Sequence, residues 1–257
     1  MPVPVRWLHA HGISSALGHR YVRSGWLEAL PGQAYLRPGI PLAWPAAVYA
    51  AQQVGQTVHV SHLSALAVQG LGHYQPLGQS SPLHLYMPGR TPAWLAGLPF
   101  SVTWHRENVI DEDAPGKLMA SPYLRKAAVR LPVSRKLALA PVARLMWPVY
   151  VSTPECAALE LAAWLTRGDS WDTAYETFSG LSMLRPLVVR ELLLACTRVV
   201  TRRIFLHLAQ RSNHAWWPHL DLRGIDPGQG DRQVMPGGQL DSQWHITVPR
   251  QEPDVAF

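Results

Sequence analysis

Apolar residues recur at three- and four-residue spacing from Val5 to His11, and the run stops at Gly12, a favoured residue just past a helix end. A second amphipathic stretch opens at Ser14 or Ser15, either of which is a good N-cap, and runs to about Ser24. Leu17, Tyr21 and Val22 fall on its inward side, and Gly25 terminates it. Two short extended runs, Trp26–Leu30 and Ala34–Arg37, flank the turn signal Pro31–Gly32, with Trp26 expected in the core of this small unit. Two helices joined by a tight glycine turn and followed by a hairpin have the layout of a winged helix-turn-helix.

From Trp44 to about Glu107 helical and strand patterns alternate. WPAAVYAAQQV reads as a helix, QTVHVS as a strand and SHLSALAVQGL as a helix with its own serine cap. PLHLYMP and FSVTWHR read as strands around the helical turn TPAWLAGL, giving an α/β module. DEDAPGK (111–117) reads as an exposed linker, KAAVRLPVS as strand-like, and a helix is expected from Ser152 through STPECAALELAAWL. Further on, Val189, Leu193, Cys196, Val200, Ile204 and Leu208 define one long buried helical stripe, with Arg198 and Arg202 one turn apart on its other side. The chain closes with strand-like RQVM and QWHITVP about Pro236–Gly238. The expected fold class is α+β. A winged helix-turn-helix over 1–45 precedes a domain over 46–257, made of an α/β part (46–150) and a mainly helical part (151–257).

Composition narrows the functional classes. Hydrophobic residues are 47% of the 257 and charged residues 16%, which excludes global disorder. The two cysteines, Cys156 and Cys196, are far apart in apolar surroundings, so they read as buried thiols in a reducing compartment. The most hydrophobic stretch, Leu187–Leu208, is interrupted by Arg190, Glu191, Arg198, Arg202 and Arg203, so no membrane span is expected. A cytoplasmic location is expected. The net charge of +6 is uneven: residues 1–45 carry +3, 46–115 carry −2, 116–150 carry +7 and 151–257 carry −2. Basic blocks of this kind suit a polyanion, with nucleic acid the leading candidate over a merely solvated face. On the second helix Ser14, Ser15, His19, Arg20 and Arg23 are donors of the types that read phosphates and base edges, and Arg37 ends the hairpin where a wing meets the backbone.

Enzyme motifs fail when tested. No phosphate-binding G-x-x-x-x-G-K-[ST] and no H-E-x-x-H is present, GQGDRQ lacks a third glycine, and GISSA has Ala16 where a nucleophile elbow needs glycine. His9 and His11, two residues apart, point to different helix faces and make a poor zinc pair. Asp111 and Asp113 sit at alternate positions that could bind a divalent cation for nucleotidyl transfer, but the following Ala-Pro-Gly favours a solvated linker. No catalytic residue, cofactor or metal is expected. The alternatives are a metal-dependent nucleic-acid or nucleotidyl enzyme using Asp111 and Asp113, and a protein-binding module without DNA binding.

Three stretches resemble one family. WLHAHGISSALGHRYVRSGWLEALPGQAYLRPG is similar to the N-terminal winged helix of the AbiEi family, antitoxins and transcriptional regulators of type IV toxin–antitoxin systems. IPLAWPAAVYAAQQVGQTVHVSHLSALAVQGLGHY resembles the segment that follows, and RRIFLHLAQRSNHAWWPHLDLRGIDPGQGDRQVMPGGQLDSQWHITVP resembles its C-terminal signature, the most specific of the three. Family members usually carry a further helix before the position of Trp7, so a winged helix without its first supporting helix is expected. The resemblance implies promoter DNA with inverted repeats and a cognate nucleotidyltransferase-like toxin as partners, autorepression of the operon, and no catalysis. The toxin-neutralising surface is expected at Arg198 and Arg202.

Overall fold

A two-residue strand, β1 (Val3–Pro4), leads straight into α1 (Val5–Ala10). Ser14 starts α2 (Ser15–Arg23): its Oγ accepts from the Leu17 amide at 3.3 Å, satisfying one of the amides that a helix start leaves open. The structure, a computed structural model, describes residues 1–72, 81–107, 109–110, 131–132, 147, 149–168 and 170–250. After α2, β2 (Glu28–Leu30) and β3 (Ala34–Leu36) form an antiparallel hairpin, and β1 pairs with the other side of β3. This strand–helix–helix–hairpin order, with sheet order β1-β3-β2, fits a winged helix-turn-helix from its first strand onward. The leading strand is an element that the hydrophobic pattern did not announce.

The small core here holds Leu8, Ala34, Tyr35 and Leu36. Gly18 is the buried residue of α2 and packs on Tyr35: a Cβ there would lie 3.3 Å from Tyr35 Oη, so a larger residue would push that ring back by a few tenths of an ångström. Tyr21 and Trp26, expected inside, are instead 37% and 70% exposed. Tyr35 from β3 fills the space beneath α2, and the chain leaves the helix through Gly25 (φ 75°) with Trp26 outside.

The α/β module follows as α3 (Trp44–Gln53), β4 (His59–Val60), α4 (His62–Val68), β5 (Leu83–Tyr86), α5 (Ala93–Ala96) and β6 (Val102–His105). β7 (Leu131–Pro132) and β8 (Tyr150–Val151) complete a five-stranded sheet of order β6-β5-β4-β8-β7. β5/β6 and β4/β8 are parallel, and the other two pairs are antiparallel. Ser61 precedes α4 as expected but makes no side-chain cap; its Oγ lies 3.0 Å from His62 Nδ1. The hairpin tip rests on the start of α5: a Cβ on Gly32 (φ 74°) would fall 2.2 Å from the Trp94 amide nitrogen. Residues 1–69, 81–107, 131–132, 147 and 149–151 form one compact unit; 70–72, 109–110, 152–168 and 170–250 form a second.

The second unit is helical, with α6 (Pro154–Trp164), α7 (Trp171–Ser179), α8 (Pro186–Ala195) and α9 (Val199–Ser212). Thr153 Oγ1 caps α6 by accepting from the Cys156 amide at 3.3 Å, with Pro154 in the first turn, where its missing N–H costs nothing. The apolar stripe expected as one helix is divided between two. Val189, Leu193, Cys196, Ile204 and Leu208 are buried as read, and Val200 is half-buried. The helix breaks at Cys196 (φ −65°, ψ 125°), which pairs with Ile110 in an antiparallel bridge while the Thr197 amide donates to the Val109 carbonyl at 3.1 Å. The closing hairpin also differs in detail. β9 (Gln239–Asp241), not RQVM, is the partner of β10 (Ile246–Val248), and Arg232 contributes a single bridge to Ile246. Of the described residues 42% are helix and 14% strand, an α+β protein.

Candidate nucleic-acid interface

At 3.6 residues per turn His19, Arg20 and Arg23 fall on the side of α2 away from the buried Gly18, and all three are exposed. Arg37 is exposed just past β3. No ion pair among the described residues engages Arg20, Arg23 or Arg37, so their guanidinium donors stay open to an incoming anion. The two serines have local work as well. Ser14 Oγ caps α2, and Ser15 Oγ lies 2.8 Å from His9 Nε2, tying the two helices together across the turn. Both are exposed and sit at the helix start, where backbone amides favour a phosphate.

The second unit holds its charge differently. Arg203 is fully buried and donates to the carbonyls of Pro227, Gly230 (2.6 Å) and His245 (3.0 Å), which fastens the segment after α9 to the helix. Arg198 stands at the N-cap of α9 rather than within it, and it and Arg202 are half-buried, so the open basic face expected of this pair is reduced to their outer edges. Glu155, 2% exposed, accepts from Arg185 Nε and Nη2 at 2.8 Å each and from its amide at 3.0 Å.

A chain of polar groups links three elements. The Tyr175 hydroxyl donates to His207 Nε2 at 3.1 Å, and His207 Nδ1 donates to Asp241 Oδ2 at 2.6 Å. Asp241 Oδ1 accepts the amides of Gln243 (2.9 Å) and Trp244 (3.2 Å), closing the β9–β10 turn. Burial lowers the His207 pKa against the opposing pull of Asp241, and burial raises Tyr175 to about 12, so both rings are neutral at pH 7. The Arg211 guanidinium covers the Tyr175 ring at 4.4 Å.

In the α/β module three histidines converge. His62 and His105 stack at 3.5 Å, and His84 Nδ1 shares a hydrogen bond with His105 Nε2 at 3.0 Å. Among the described residues no group of three or more His, Cys, Asp or Glu could hold a metal ion. Asp111 and Asp113, with the 111–117 linker and most of the basic block, lie outside the described residues. Sequence reasoning missed Trp26 as a surface residue, Arg203 as a core residue, and the Tyr175–His207–Asp241 chain. The only hint of the last was that His207 sits between Leu206 and Leu208 in an otherwise apolar run.

The N-terminal topology agrees with a family comparison. The N-terminal domain model of the AbiEi antitoxin, a transcriptional regulator, matches residues 1–77, and the model for transcriptional regulator, AbiEi antitoxin, type IV TA system matches residues 80–249. The chain belongs to the AbiEi antitoxin family. Its N-terminal family domain takes in α3 and α4 together with the winged segment. Among solved structures, this AbiEi chain is similar to the crystal structure of RV2827C protein from Mycobacterium tuberculosis, with 15% identity and a TM-score of 0.60 over 96% of this chain and 85% of that one. At that identity the likeness speaks for the fold. No curated protein matches the chain. Among the described residues no helix is long and apolar enough to cross a membrane.

Proposed function

We propose that this AbiEi chain is a DNA-binding antitoxin that represses its own operon and neutralises a cognate nucleotidyltransferase-like toxin in the cytoplasm, with no catalysis of its own. The observation that carries the DNA reading is the α2 surface, where His19, Arg20 and Arg23 stand exposed, with no ion pair to either arginine among the described residues, in a segment whose order fits a winged helix. Ser14, Ser15, His19, Arg20, Arg23 and Arg37 are the proposed contacts, and inverted repeats in the promoter are the proposed target. Residues 1–45 carry this role and 46–257 the antitoxin role. The proposed toxin-facing surface is Arg198 and Arg202, at the start of α9.

A mobility-shift titration with duplex from upstream of the coding region tests the first half. Affinity is expected to fall steeply with salt, and Arg20→Ala/Arg23→Ala should weaken binding while lowering the salt slope by about two. Absent binding at low salt, or binding indifferent to salt, refutes it. Co-expression with the toxin, scored by growth, tests the second half, with Arg198→Glu/Arg202→Glu expected to lose protection. Full protection by that variant would move the toxin surface elsewhere.

A further inference from the structure

Trp26 is an anomaly on this surface. An indole 70% exposed forgoes the burial that normally places tryptophan inside, yet the chain at this point is firmly held. The Trp26 amide donates to the Tyr21 carbonyl at 3.0 Å and the Gly25 amide to the Val22 carbonyl at 3.1 Å, with Gly25 left-handed at φ 75°. This is a Schellman ending of α2, which pins the Trp26 backbone. In such endings the residue at the Trp26 position often folds its side chain back onto the last helical turn; here the ring stays out in solvent. A rigidly presented, exposed aromatic loses little entropy on contact, which is why tryptophan and arginine dominate the energetic centres of interfaces.

The surroundings identify the partner. Arg20 and Arg23 lie in the last turn of α2, immediately before Trp26, and residues 1–27 contain three arginines and no acidic residue; Glu28 is the first carboxylate. The hairpin tip, Pro31-Gly32-Gln33, offers neither a cation nor a ring, and one side of it lies against α5. Cations beside a strongly exposed indole match duplex DNA, whose phosphates take the guanidinium groups while sugars and groove-facing base edges take the aromatic.

We propose that Trp26 is a DNA contact, its indole packing against the sugars or groove-facing base edges of the duplex that α2 engages. The proposal rests on the promoter-binding reading above and adds an apolar contact to its ionic ones. Fluorescence anisotropy on the upstream duplex, across a salt series, would compare wild type, Trp26→Ala, Trp26→Phe and Arg20→Ala/Arg23→Ala in the full chain. Trp26→Ala is expected to weaken binding about tenfold, within the range of one aromatic stacking contact, with an unchanged salt slope and melting temperature. Trp26→Phe should keep most of the affinity. In protein labelled with 5-fluorotryptophan, the fluorine resonance that Trp26→Phe removes should shift when duplex is added. Wild-type affinity in Trp26→Ala, with Arg20→Ala/Arg23→Ala weakened, overturns the proposal and leaves the promoter reading standing. A Trp26→Ala protein with wild-type DNA affinity but a smaller mass by light scattering overturns it in favour of a second copy of the chain. Failure of wild type to bind the duplex at low salt removes the reading and the proposal together.

Discussion

The two units of this protein place their charge in opposite ways. Around α2 the arginines are exposed and, among the described residues, without ion-pair partners, above a core of a few side chains centred on Tyr35. In the second unit the decisive charges are inside: Arg203 is saturated by three carbonyls except at Nη2, and Glu155 is gripped by Arg185. A charge that already has its hydrogen bonds within the chain acts on stability, and one that lacks them is available to a partner. The same residue type therefore does opposite jobs in the two units, and a count of arginines alone would not separate them.

The strongest way to break this contrast is Arg203→Ala. It strands three carbonyls and opens a space in the core, so a loss of about 3–5 kcal/mol is expected in urea denaturation. A loss under about 1 kcal/mol, the size usual for surface changes, would show that Arg203 is not structural. Next comes Tyr35→Ala, expected to cost about 3 kcal/mol by emptying the space beneath α2. It should abolish DNA binding through unfolding of the winged segment, which circular dichroism would register; loss of binding with an intact thermal transition would mean that Tyr35 matters for something other than packing.

The His207 chain sharpens the comparison through pH. The unfolded chain takes up a proton near pH 6.5, whereas burial lowers the folded His207 below that value. Its contribution to stability is therefore complete above about pH 6.5 and is lost as pH falls toward the folded pKa. The slope should not exceed about 1.4 kcal/mol per pH unit, and His207→Gln should flatten it. Equal slopes in the two proteins between pH 7.5 and 5.5 would show that His207 is not held neutral. The smallest effect belongs to the surface: Arg20→Ala/Arg23→Ala should change stability by less than about 0.5 kcal/mol although it weakens DNA binding. A larger destabilisation would erase the distinction between the two kinds of arginine.

Much of the architecture could be read in advance because its signals are local. The Ser14 cap, the Gly25 ending, the Pro31–Gly32 turn and the helix from Pro154 all depend on residues within one turn of each other, and each element lies within a residue or two of its expected place. The candidate interface was legible for the same reason, since the face of a short helix follows from spacing alone. Trp26 was misread because residue type suggests burial, whereas position relative to the Tyr35 core decides it.

Taken by itself, the amino-acid order determined where helices start and stop, which face of α2 carries cations, and the α+β class. Only the tertiary structure decided three further matters. It broke the stripe at Cys196, because Val109 and Ile110, some 85 residues earlier, offer that stretch extended partners. It drew Arg203 inside, where carbonyls of Pro227, Gly230 and His245 replace water around a charge that would otherwise stay exposed. It left Trp26 outside, because β3 had already supplied the ring that fills the core. Local signals act over one turn of chain, but burial depends on partners that only folding brings together.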